Sequence, residues 1–189
     1  MGILIAGVLG WSLIHLMPAL APSFKASLVN RLGTNGYKLA FTLGILASLG
    51  LIIWGWRSTE PVFLYHFSFA RHLTYLLMVV ALACIIGAKS QSHLCQWLRH
   101  PQLTGVFLWS GAHLLVNGDQ RSLILFGSFA LWTILEMFLI NRRDGKPSKV
   151  VNASVKEDVK LAVKTLVAMV VFVLIHPFLS GVALVRIGG

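Results

Sequence analysis

Charge is scarce in this chain. Only 12% of its 189 residues are Asp, Glu, Lys or Arg, while 57% are apolar and the mean hydropathy is +0.79. So little polar surface excludes a soluble domain, and lipid is the expected partner over much of the exterior. Cysteine is nearly absent: Cys84 and Cys95 are too few for a disulfide framework. Cys84 also lies in an apolar run, where it acts as a small hydrophobe, which argues against paired-thiol chemistry. No basic stretch opens the N-terminus MGILIAGVLGW and no clear cleavage site follows, so it reads as a first span kept in the mature protein. Nothing is left over for a second domain, and residues 1–189 are expected to form one.

What charge there is has one dominant sign, a net +10. In a soluble protein that would suggest nucleic acid. Here the sixteen Lys and Arg flank apolar runs and read as orientation signals, so no nucleic-acid partner is expected. At about 20 apolar residues per crossing, the chain has room for about six transmembrane helices with short loops. The expected spans are 3–21, 39–56, 72–88, 103–116, 122–140 and 161–179: an all-α, polytopic membrane helix bundle. Pro18 and Pro22 lead from the first span into a polar loop with Lys25, Arg31 and Lys38. The aromatic stretch 57–71 is expected along the membrane surface, Pro101 to start the short fourth span, and Asn117, Gly118 and Asp119 to form a turn. Eleven Lys and Arg fall on one side: Lys25, Arg31, Lys38, Lys89, Arg99, Arg142, Arg143, Lys146, Lys149, Lys156 and Lys160. Four fall on the other: Arg57, Arg71, Arg121 and Arg186. The expectation is a multi-pass protein of the bacterial inner membrane with both termini periplasmic.

Seven histidines carry the chemical interest, because a ligating side chain inside a span is costly to keep. His15, His113 and His176 fall within spans and His72 opens one, whereas His66, His93 and His100 read as solvated. Two of them share a frame: Trp11, Ser12, His15 and Leu16 recur as Trp109, Ser110, His113 and Leu114 at the same spacing. The Trp four residues before and the Ser three before share the helix face of the His, making an aromatic, weakly polar wall twice over. A flat apolar cofactor suits such walls. Haem b, its iron between His15 and His113, fits better than zinc, which needs three or four closed ligands. Gly7, Gly10, Gly105 and Gly111 beside these residues would admit either a porphyrin or a neighbouring helix. Depth opposes the pair, since at 1.5 Å per residue His15 lies about 18 Å and His113 about 6 Å from the outer face. His176 matches the depth of His113 better, and His72 and His176 stand as reserve ligands. Glu136 and Lys164 sit at equal depth in adjacent spans and are expected to form an ion pair.

The stretch RHPQLTGVFLWSGAHLLVNGD at 99–119 resembles the signature of the NnrU membrane protein family. The HLMP of the first span, RLGTNGYKLAF around Arg31, RHL at 71–73 and His176 are similar to residues that family carries in the same places, so the likeness spans essentially the whole chain. The resemblance implies a protein tied to nitrite and nitric oxide reduction, related to the haem b-binding 15-cis-zeta-carotene isomerase. In that relative the haem histidines match His15 and His113 here, and the RHP histidine matches His100. The RHP block is also similar to a segment of membrane methyltransferases that bind S-adenosylmethionine, but the acidic pair that follows there is missing, with only Glu136 downstream. Three functions are therefore in contention: a haem protein of nitrogen-oxide metabolism with a redox partner, a haem-dependent isomerase of a polyene, and a cofactor-free transporter or assembly factor. Oligomeric state is left open.

Overall fold

The structure is a computed structural model and describes residues 1–67, 69–145 and 152–181. Lys146, Lys149 and Arg186 of the charge count lie outside the described residues. Among the described residues seven helices follow in order: α1 (Gly2–Leu20), α2 (Pro22–Arg57), α3 (Ala70–Gly87), α4 (His93–Trp97), α5 (Pro101–Val116), α6 (Gln120–Asp144) and α7 (Val155–Ser180). Five of them, α1, α2, α3, α6 and α7, are long and apolar enough to cross a membrane. The short α5, 16 residues or about 24 Å, falls below that length yet packs inside the bundle against α3 and α6.

The expected polar loop after α1 is helical instead. Pro22 occupies the first turn of α2, where its missing N–H costs nothing, and the helix then runs through Lys25 and Arg31. Its one break is Gly33, at φ 72° and ψ 167°, a backbone conformation that L side chains rarely adopt. At a membrane surface a helix satisfies its backbone groups internally, which a loop does not, and no strong breaker other than Gly33 opposes it.

Close helix approach explains most of the glycines near the histidine frames. A Cβ on Gly7 would lie 2.7 Å from the Ile52 amide nitrogen of α2, and one on Gly10 2.9 Å from Ser48 Oγ. On Gly105 it would lie 2.7 Å from the Ala81 carbonyl of α3. Gly7, Gly10 and Gly105 are thus helix-packing residues, while Gly111 faces open space. Against the α1–α2 hairpin packs α6, and Leu4, Val8, Leu16, Ile52, Trp56, Leu125, Phe126, Phe129 and Trp132 form the buried core.

One end of the bundle is clipped shut by the stretch expected to lie along the membrane. The Leu64 and Tyr65 amides donate to the Gly118 carbonyl at 2.7 and 3.1 Å, Gln120 N donates to Val62 O, and Tyr65 Oη donates to Leu114 O at 2.7 Å. A Cβ on Gly118 would collide with the Tyr65 backbone, so only glycine fits there. Asp119, 5% exposed, caps α6 by accepting from Ser122 N and Oγ at 3.0 and 2.7 Å. Arg121, 3.6 Å from that carboxylate, donates to the Trp56 and Thr59 carbonyls and lies over the Trp56 ring at 4.3 Å. Asp119→Ala removes a helix cap and the charge partner of Arg121 together. It is expected to lower stability by about 2 kcal/mol, read as a falling Tm in detergent, with Asp119→Asn recovering part of the loss.

Candidate functional site

The repeated frame survives in three dimensions. In α1 the Nδ1 of His15 lies 2.9 Å from the Trp11 carbonyl; in α5 the Nδ1 of His113 lies 2.9 Å from the Trp109 carbonyl. A carbonyl only accepts, so Nδ1 carries the proton in both rings and Nε2 carries the lone pair, the tautomer a metal ligand needs. Each imidazole also packs on its own indole, at 4.5 Å for Trp11 and 4.9 Å for Trp109. Ser110 is fully buried with no hydrogen-bond partner among the described residues, while Ser12 is only half-buried.

The two frames do not face one another across a single metal. Between them runs an aromatic edge of α6 that the sequence reading missed, although Phe126, Phe129 and Trp132 recur every three residues. Phe129 lies 5.5 Å from Trp11 on one side and 5.7 Å from Trp109 on the other. His15 sits against Trp132 at 5.0 Å, whereas His113 stacks on Phe126 at 4.4 Å. Those two α6 residues are six positions apart, about 9 Å along the helix. The cause is chain direction. Helix α1 starts at the clipped end, where the Met1 amino group donates to Thr59 Oγ1, and α5 finishes there, so His15 and His113 fall at different depths.

His176 is the histidine that reaches His113. Helix α7 also finishes at the clipped end, where Trp56 Nε1 donates to the Ser180 carbonyl, which sets His176 level with His113. Their ring centroids are 6.4 Å apart with planes 24° from parallel. Ser180 Oγ donates to the His176 carbonyl at 2.9 Å and lies 3.0 Å from its Nδ1. The Ser180 hydroxyl thus holds the His176 ring in place through Nδ1.

The other reserve ligand, His72, is not drawn in. It is exposed in the first turn of α3, two residues from Thr74, whose hydroxyl reaches the Ala112 carbonyl, and so points away from α5. His93 and His100, expected to be solvated, are partly exposed and also fasten the opposite end. His93 bonds Asp158 through its ring and its amide, and His100 Nε2 lies 2.7 Å from Asn141 Oδ1. Neither do Glu136 and Lys164 form the expected ion pair. Helix α6 packs on α1 and α5 while α7 packs chiefly on α3, and Glu136 Oε2 is buried without a hydrogen-bond partner among the described residues.

This donor set is selective. Among the described residues no three His, Cys, Asp or Glu side chains group closely enough to hold a metal ion, which disfavours zinc. Two neighbouring imidazoles suit a metal whose other ligands come from a macrocycle, and to that extent the residues fit a haem iron. Phe129→Ala should open the aromatic edge at its centre and destabilise the protein by about 3 kcal/mol. A red shift of tryptophan emission should accompany the loss, as Trp11 and Trp109 each give up a ring contact; unchanged emission would contradict this packing.

Comparison with known proteins agrees with the whole-chain likeness. No curated protein and no solved structure matches, but the family model described as NnrU protein matches residues 3–184, nearly the full length. By that match, and with its bundle of apolar helices long enough to cross a membrane, the chain belongs to the NnrU family.

Proposed function

We propose that this protein is a haem b-binding membrane protein of nitrogen-oxide metabolism, in which His113 and His176 would hold the iron. One observation carries the reading, the 6.4 Å between nearly parallel imidazoles. Rings this close on α5 and α7 bring both imidazoles within reach of one metal ion. A bound haem would supply one-electron chemistry. The protein's own part is to hold the ligands. The Trp109 carbonyl and the Ser180 hydroxyl orient the two rings, while Phe126 and Trp109 form an apolar wall beside His113. Access for an apolar cofactor comes from α7, whose Val163, Leu166, Val167, Val170, Leu174 and Phe178 are exposed to lipid. In this reading the chain lies in the bacterial inner membrane with both termini periplasmic, so the pair sits near the periplasmic face, where a redox partner delivers electrons. The link to nitrite and nitric oxide reduction rests on the resemblance of the 99–119 block.

The test is the absorption spectrum of detergent-purified protein, oxidised and dithionite-reduced, with a pyridine haemochrome assay. About one haem per chain with sharp reduced α and β bands is expected. His113→Ala and His176→Ala should each abolish that low-spin signature, and His15→Ala should keep it. Loss on His15→Ala with retention on His176→Ala would transfer the ligand role to the His15 and His113 frames; no haem after haem-supplemented expression would sink the reading.

A further inference from the structure

The backbone break in α2 creates a groove unconnected with the histidine pair. Leu28 and Leu32 precede Gly33, while Tyr37, Ala40 and Phe41 follow it; together with Ile14 and Met17 of α1 they line a shallow apolar groove. A second groove, lined by Pro18, Tyr37, Lys38, Phe41 and Thr42, adjoins it through the shared Tyr37 and Phe41. The two have volumes of about 170 and 320 Å³. Their lining is apolar except for Tyr37, Lys38 and Thr42.

Positive charge on α2 is uncompensated. The first acidic residue in the chain is Glu60, so Lys25, Arg31 and Lys38 all lie in a stretch without a carboxylate. The ion pairs among the described residues are His93–Asp158, Arg121–Asp119, Arg143–Asp144 and Lys160–Glu157, and none uses these three cations. Apolar grooves lined in part by the unneutralised Lys38, on a helix that also carries Lys25 and Arg31, call for an amphiphile with an anionic head. A neutral polyene would gain nothing from the cations, and a soluble anion nothing from Leu28, Leu32 and Met17.

We propose that this groove binds an anionic phospholipid, with an acyl chain between α1 and the two halves of α2 and the phosphate at Lys38, Lys25 and Arg31. The lipid is an integral, specifically held component of the α1–α2 hairpin. Through Phe41, whose ring meets His15 edge-on at 5.7 Å, it supports the inner histidine frame. The site does not depend on haem ligation.

Full-length protein in detergent, titrated with phosphatidylglycerol or phosphatidylcholine and followed by native mass spectrometry and thermal melting, tests this. Phosphatidylglycerol should bind at about one per chain and raise Tm, with a preference over phosphatidylcholine of about tenfold or more. A triple variant, Lys25→Gln, Arg31→Gln and Lys38→Gln, should lose that preference while melting normally in phosphatidylcholine. Ala40→Trp, which fills the groove, should lose the bound lipid with the cations intact. A control, Lys89→Gln, Arg142→Gln and Lys164→Gln, removes equal charge elsewhere and should keep the preference. Equal binding of both lipids, an equal loss in the control, or a neutral isoprenoid retained in place of phospholipid would each overturn the proposal.

Discussion

The ring contacts that Phe129 makes with Trp11 and Trp109 hold the centre of this bundle together. Between membrane helices there is little hydrophobic force to exploit, because lipid is as apolar as leucine, so association rests on close packing and on specific contacts between large rings. Helix α6 supplies them on two faces at once, toward α1 and toward α5. Glycines do the complementary work in the outer pairings, bringing α1 against α2 at Gly7 and α3 against α5 at Gly105.

That central edge also decides what the histidines can do. Because it stands between the frames, His15 and His113 each keep a private indole and a private carbonyl. His113 instead meets a ring from α7, the helix with the least covered span.

The two ends of the bundle are built differently, and both differences follow from polar groups seeking partners where water is scarce. At one end Asp119, Arg121 and Gly118 gather the surrounding chain segments into a hydrogen-bonded clip. The other end is fastened more loosely by His93–Asp158 and His100–Asn141, and it carries most of the positive charge. The RHP block, prominent in the sequence, belongs to this end: Arg99 donates to the Gly145 carbonyl and Pro101 starts α5, so within the described residues its work is structural.

Class, helix positions and the Trp-to-His frame were legible in the sequence alone because each depends on short-range spacing. Apolar run length sets a span, and a residue four positions ahead shares a face and offers its carbonyl, so Trp11–His15 and Trp109–His113 are local facts. The helix from Lys25 to Arg31 was not legible, because its polar composition suggests a loop where only Gly33 breaks the chain. Which histidines meet was not legible either, for it depends on helix direction, rotation and neighbour choice, none of which periodicity encodes. Depth reckoning along each span correctly set His176 level with His113, but only the tertiary structure seated Phe129 between the two frames and kept Glu136 away from Lys164, since packing selects the face each helix turns toward the others.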